Sequence, residues 1–224
     1  MAKPTGVVDL TRPLWVGMPV HPDDAPVAAI PRCTFENEGY AVTTLVLSSH
    51  VGTHLDAPYH FIQGGKTVDA LPVSRLVGEG VVLDLRGHGP EISFVDLETA
   101  IAAAGGLGEG DFALLWTGWD AHFGQDDMWD HPYLSAEAAK HLLVLGVTMV
   151  GTDCGGVDSR EAYAVSEEEA GHPIHYLLLA GDIPIVENLT GLDQLGAGRC
   201  RCAFLPLPIV GGDGSPIRAV AWRG

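Results

Sequence analysis

The 224-residue sequence predicts an α/β fold around a central mixed sheet. Three observations carry that expectation. Through the middle of the chain, apolar β-branched runs alternate with segments of helical period, the pattern of strand–helix–strand units. Toward both ends the helical period fades and strand-like runs dominate, which makes the sheet mixed. The 29 glycines and 15 prolines are scattered as punctuation, with no linker and no repeat, so one domain over residues 1–224 is expected. A chain of this length buries a core that needs no staples.

The elements follow in order. From Gly6 to Tyr40 the text is broken by Pro13, Pro19, Pro22, Pro26 and Pro31, which allows only short edge strands and loops. Ala41–Ser49 alternates and is β-branched, a strand leading straight into a histidine-rich segment. Val81–Arg86 is a second strand. Ser93 caps a helix over Phe94–Ala104 that Gly105 and Gly106 end. Asp111–Thr117 is a buried strand, and Ser135 opens a helix that closes at Gly146. Val147–Thr152 is a strand, and His172–Ala180 a short helix with Pro173 in its first turn. Ile183–Asn188 is a strand. Phe204–Val210 and Ile217–Trp222 flank Gly211-Gly-Asp-Gly214 as a terminal hairpin.

Composition excludes some roles. The formal charge of −17 repels phosphate backbones and anionic lipid, so neither nucleic acid nor a membrane surface is expected as a partner. No apolar run is long enough to span a bilayer, and the first residues lack a signal-peptide core. Cys33, Cys154, Cys200 and Cys202 show no C-x-x-C spacing and suit free thiols in a reducing cytoplasm. Cys154 reads as a small core residue rather than a nucleophile.

The chemistry concentrates between Ser48 and Phe61, where His50, His54, Asp56 and His60 fall within eleven residues. Imidazole and carboxylate are the donors that Zn²⁺ and Mn²⁺ favour. Gly52, Thr53 and Pro58 argue against a helix, and the four even-numbered positions share one side of a strand. A straight strand would, however, part His50 from His60 by about 33 Å, whereas ligands lie within about 2.0–2.2 Å of their ion. The segment therefore has to curl, at Gly52 and Pro58. Asp56 has an oxygen for each of two ions. A second ion would need further ligands, and the carboxy-terminal half offers His175, on the short helix, and Glu187, at the tail of an apolar strand, though taken alone these two read as ordinary structural residues. His88, His122, His131 and His141 read as surface or hydrogen-bonded residues.

The run His50-Val-Gly-Thr-His54-Leu-Asp56-Ala-Pro58-Tyr-His60-Phe61 resembles the H-x-G-T-H-x-D-x-P-x-H-F signature of the cyclase-like metal-dependent hydrolases, which include bacterial kynurenine formamidase and isatin hydrolase. Further likeness lies in Asp9-Leu10-Thr11, Met18-Pro19-Val20, Thr117-Gly118-Trp119, Gly151-Thr152-Asp153 and the stretch from His175 to Leu189. The resemblance implies a swivelling β/β/α domain assembled as a homodimer or homotetramer. It implies that His50, His54 and Asp56 hold one divalent ion, and that Asp56, His175 and Glu187 hold or support another. Zn²⁺ or Mn²⁺ would serve, and His60 would be the general acid–base. The sequence departs from the formamidases at His21, which stands where they carry a pocket tryptophan, so His21 becomes a candidate substrate-binding residue.

The activity implied is hydrolysis of an amide-type bond, an arylformamide or a cyclic amide, in a small molecule. A lactone hydrolase, or a polyketide-type cyclase or dehydratase, would use the same site. A non-enzymatic metal-binding module would instead close its coordination sphere.

Overall fold

The computed structural model describes residues 6–164 and 171–223. Twelve strands and five helices are assigned among them. The strands are β1 (Val8–Asp9), β2 (Ala28–Cys33), β3 (Val42–Val46), β4 (His54–Asp56), β5 (Val77–Asp84), β6 (Glu91–Ile92), β7 (Phe112–Trp116), β8 (Tyr133–Leu134), β9 (Met149–Thr152), β10 (Ile185–Glu187), β11 (Gly198–Pro206) and β12 (Gly214–Trp222). The helices are α1 (Phe35–Glu38), α2 (Phe94–Ala103), α3 (Ala136–Leu145), α4 (Pro173–Ala180) and α5 (Leu192–Leu195).

Eight strands form one sheet in the order β1-β12-β11-β5-β7-β9-β10-β4, and β12 also pairs with β4. That extra pairing closes the sheet into a barrel-like wall. β5, β7, β9 and β10 run parallel, while β11, β12 and β4 join antiparallel, so the sheet is mixed as expected.

The two sides of this wall hold two cores, and strand periodicity divides residues between them. Val81, Leu83, Ala113 and Leu115 face a layer containing Leu97, Ile101, Ala138, Leu142 and Leu178 from α2, α3 and α4. Val82, Phe112, Leu114, Phe204 and Leu55 face inward. β7 is buried along its whole length because both of its faces are packed.

Helix signals were legible. The Ser93 side chain accepts the Asp96 amide and Asp96 reaches back to the Ser93 amide, a capping box at α2. Ser135 caps α3, and Gly146 ends it at φ 74°. Such caps contribute about 1 kcal/mol each.

Three strand expectations need correction. The strand expected to feed the histidine segment stops at Val46 and pairs with β2 in a separate two-stranded ribbon. Here the ribbon's own register, not the neighbouring histidines, decides where pairing ends. β11 starts at Gly198 rather than Phe204 and stops at Pro206. Its first half alternates exposed Arg199 and Arg201 with buried Cys200, Cys202 and Phe204, a period-2 signal that the cysteines disguise. β5 likewise begins four residues early, at Val77, through a stretch containing Gly78 and Gly80. The proline-broken segment also holds the short helix α1 beside its strands. No helix among the described residues is long and apolar enough to cross a membrane.

Candidate metal centre

The histidine segment curls where the spacing required. Gly52 adopts φ 62°, and a Cβ there would stand 2.8 Å from Leu14 Cδ2, so both backbone and space call for glycine. β4 follows, with His54 and Asp56 on one face and Leu55 turned into the inner core. Pro58–His60 then forms a 3₁₀ turn. Antiparallel pairing sets Glu187 of β10 opposite His54, and Gly214 of β12 opposite Asp56. A Cβ at Gly214 would lie 2.8 Å from His50 Cε1, so this close approach of β12 also requires glycine. His175 enters from the first turn of α4.

These elements bring His50, His54, Asp56, His175 and Glu187 together. His50 Nδ1 lies 2.7 Å from Asp56 Oδ1. His54 Nε2 lies 3.3 Å from the same oxygen and 3.4 Å from Glu187 Oε2. On the other side, His175 Nε2 is 3.0 Å from Glu187 Oε1 and 3.7 Å from Asp56 Oδ2. Both carboxylates thus straddle two positions, one oxygen toward each. Glu187 faces His54 as well as His175, a reach that its sequence position did not disclose.

The donor set fits a divalent ion. Two ligands of a tetrahedral ion with bonds of about 2.0–2.2 Å are roughly 3.3–3.6 Å apart, which matches His54 to Asp56 at 3.3 Å and His54 to Glu187 at 3.4 Å, in a group whose donor atoms all lie within 4.8 Å of one another. Each imidazole is also held from behind, as metal-binding histidines are. His54 Nδ1 meets Gly52 O at 2.9 Å, His175 Nδ1 meets Asp158 Oδ2 at 2.6 Å, and His50 Nε2 meets Asp213 Oδ2 at 2.8 Å. In every case the nitrogen left over faces Asp56, Glu187 or both.

The charges are interlocked. Burial alone would push the His50 pKa down, but Asp56, with hydrogen bonds to Asp213 and Asp56, lifts it to about 9. Burial is likewise overcome at His175, where bonds to Asp158 and Glu187 raise the pKa to about 10. Burial would raise Asp56, yet His54 and His50 hold it well below the usual carboxylate range. At His60 burial wins and takes the pKa down to about 4, so its ring is neutral at pH 7.

A pH test follows for chelator-treated protein. The folded pKa values of His50 and His175 exceed the unfolded value of about 6.5. The stability they contribute is therefore complete below that value and is lost as pH rises through about 9 and 10. The melting temperature with chelator is expected to fall between about pH 7 and pH 10. A constant or rising value would contradict the pairing described here.

His60 stacks on His50, with ring centroids 3.9 Å apart and planes at 28°. Both border a cavity of about 220 Å³ whose lining also includes His21, Phe123 and Trp129. His21 meets Trp129 edge-on at 5.8 Å. Of the other aromatic residues, Trp15 packs on Phe123 and Trp119 stacks on His122, outside the cavity lining. Cys154 is buried beside Thr117 and its thiol pKa is driven up by burial, which suits a core residue and not a nucleophile. His88, His122 and His141 pair with Asp96, Asp127 and Glu98. His131 is buried, with Nδ1 on Pro132 O.

Three participants were missed from the sequence. Asp158 and Asp213 carry no ligand-type spacing, and Asp213 was absorbed into the reading of a hairpin turn. His172, in the cavity lining, was read only as the start of a helix.

The family model described as "Putative cyclase" matches residues 8–159. The chain belongs to the cyclase family. The matched span contains His50, His54, Asp56, His60 and Asp158; His175, Glu187 and Asp213 lie beyond it. Full-length likeness to relatives covers those as well. The kynurenine formamidase of Erythrobacter litoralis (strain HTCC2594) is 32% identical over 216 residues, 95% of this chain and 91% of that protein. An isatin hydrolase bound to the product analogue thioisatinate matches with a TM-score of 0.84 at 28% identity, covering 96% of this chain and 91% of that one. A "predicted metal-dependent hydrolase" from Bacillus stearothermophilus matches with a TM-score of 0.79 at 28% identity, over 98% of each chain. The cyclase-family resemblance carried by His50–Phe61 is thereby borne out, and the closed mixed sheet is shared with these structures.

Proposed function

We propose that this member of the cyclase family is a metal-dependent amidohydrolase that opens a carbon–nitrogen bond other than a peptide bond, in an arylformamide or a cyclic amide. The observation that carries this reading is the convergence of three back-supported imidazoles on the Asp56–Glu187 pair, with neutral His60 beside them at a cavity. The kynurenine formamidase and isatin hydrolase relatives support the same reaction class.

His50, His54, Asp56, His175 and Glu187 would hold one or two divalent ions. We propose Zn²⁺, with Mn²⁺ the other ion that suits donors of nitrogen and oxygen without thiolate. Such an ion would supply Lewis acidity and would bring the pKa of water down to near neutrality. The residues of the chain do the rest. His60, uncharged at neutral pH, takes a proton from the attacking water and returns it to the leaving nitrogen. Phe123, Trp129 and His21 form the wall against which a planar acyl substrate lies. The apolar residues that the β2–β3 ribbon leaves exposed, among them Leu45 at 59%, support assembly as a homodimer or homotetramer. The four free thiols support a cytoplasmic setting.

The test is a substrate panel: N-formyl-arylamines, isatin and simple lactones, each with metal-loaded and chelator-treated protein. Hydrolysis of an amide by the loaded form only is expected, restored by adding Zn²⁺ or Mn²⁺. Turnover of lactones alone would move the reaction to ester bonds, and no turnover of any of them would remove the hydrolase reading.

A further inference from the structure

Asp213 lies in the loop between β11 and β12, 163 residues from the histidine it touches. Its backbone is tied to the metal-binding strand's continuation, since Ala57 N–H donates to Asp213 O at 2.8 Å. Its side chain accepts from two directions. Oδ2 sits 2.8 Å from His50 Nε2 and 3.3 Å from Ser49 Oγ, and the same oxygen is 3.8 Å from His60 Nδ1. The two rings it faces are stacked on each other, and Gly214 provides the space that lets His50 approach the strand.

A carboxylate in this place removes an ambiguity. Imidazole has two tautomers, and the one adopted depends on the partner of the nitrogen away from the reaction. With His50 Nε2–H donated to Asp213, Nδ1 is the nitrogen turned to Asp56, and it is the proton it shares with Asp56 that a bound ion would displace. His60 Nδ1, 3.8 Å from the same oxygen, is beyond a direct hydrogen bond, so Asp213 acts on this ring through its stack on His50. A single side chain therefore addresses a metal-facing ring and a proton-carrying ring that lie one against the other.

We propose that Asp213 is the positioning residue of this pair, fixing the tautomer and orientation of His50 directly and the orientation of His60 through the ring stacked on it. The assignment rests on the amidohydrolase reading for its turnover measurements and is independent of it for its metal measurements.

The experiment compares Asp213→Ala and Asp213→Asn with the wild-type chain. Asparagine keeps an acceptor oxygen for His50 Nε2–H, and the site is 42% exposed, so neither change buries an unpaired group. Asp213→Ala is expected to weaken Zn²⁺ binding about 10–100-fold in chelator competition, the usual cost of losing a partner behind a metal-binding histidine. Its kcat is expected to fall at least about tenfold with KM little changed, since an orientation that matters in the transition state acts on kcat. Asp213→Asn is expected to stay within about threefold of wild type in both measurements. An alanine variant with wild-type zinc affinity and kcat would overturn the proposal, as would asparagine and alanine variants equally impaired. If the wild-type chain hydrolysed no arylformamide or cyclic amide, the reaction assignment would fail while the zinc affinities of the two variants still decided the role of Asp213.

Discussion

Replacing Asp56 with alanine is expected to remove bound metal and reduce turnover to background in the same variant. Asp56 reaches all three imidazoles of the cluster, at 2.7 Å to His50, 3.3 Å to His54 and 3.7 Å to His175. Alanine deletes both straddling oxygens at once, so the loss in metal affinity should exceed the roughly 10–100-fold that follows loss of an outer hydrogen-bonding partner. The fold should survive, because β4 is held by backbone ladders to β10 and β12 that do not use this side chain. The internal positive charge should not survive. Without Asp56, burial again dominates at His50 and His54, and their pKa values return downward. Elemental analysis after dialysis, with a melting curve as fold control, reads out the result. A folded Asp56→Ala protein that kept stoichiometric metal would show that Asp56 does not hold the ion.

The difference between what was legible in the chain and what was not follows sequence distance and the kind of signal. His50, His54, Asp56 and His60 announce themselves because ligand-type residues crowd a segment that glycine and proline force to bend. Ser93, Ser135 and Gly146 mark helix ends through bonds made within a few residues. Asp213 and Asp158 act through contacts that only the closed sheet and the packed α4 create, 163 and 17 residues away from their histidines. Neither has neighbours that advertise a site. β11 was half hidden because Cys200 and Cys202 occupy its inward positions, where valine or isoleucine would have made the alternation plain. The separate β2–β3 ribbon was invisible for a further reason: strand propensity reports that a run is extended, not which sheet receives it.

His60→Ala is expected to keep its metal and lose roughly 10²–10⁴-fold in kcat, the share usual for a general acid–base. Two observations set this ring apart from the imidazoles of His50, His54 and His175. It lies 6.4 Å from the His175 ring and stacks on His50 in the cavity lining, with no hydrogen bond among the described residues of the kind that holds His50, His54 and His175 from behind. Its pKa, carried down to about 4 by burial, is opposite in direction to the raised values of His50, His54 and His175. An uncharged ring keeps a lone pair that can receive a proton during turnover and return it. The alanine variant removes that ring and leaves in place His50, His54 and His175, whose back-supported rings point at the Asp56–Glu187 pair. His60→Gln sharpens the distinction, because glutamine fills the space and hydrogen-bonds but cannot carry the proton. Both variants are expected to fall together, with KM little changed and with partial recovery in added free imidazole. If glutamine restored the rate, His60 would be holding substrate rather than moving a proton. If alanine itself retained full kcat, the proton would have to travel through another group at the cavity, and His172 would be the next ring to replace.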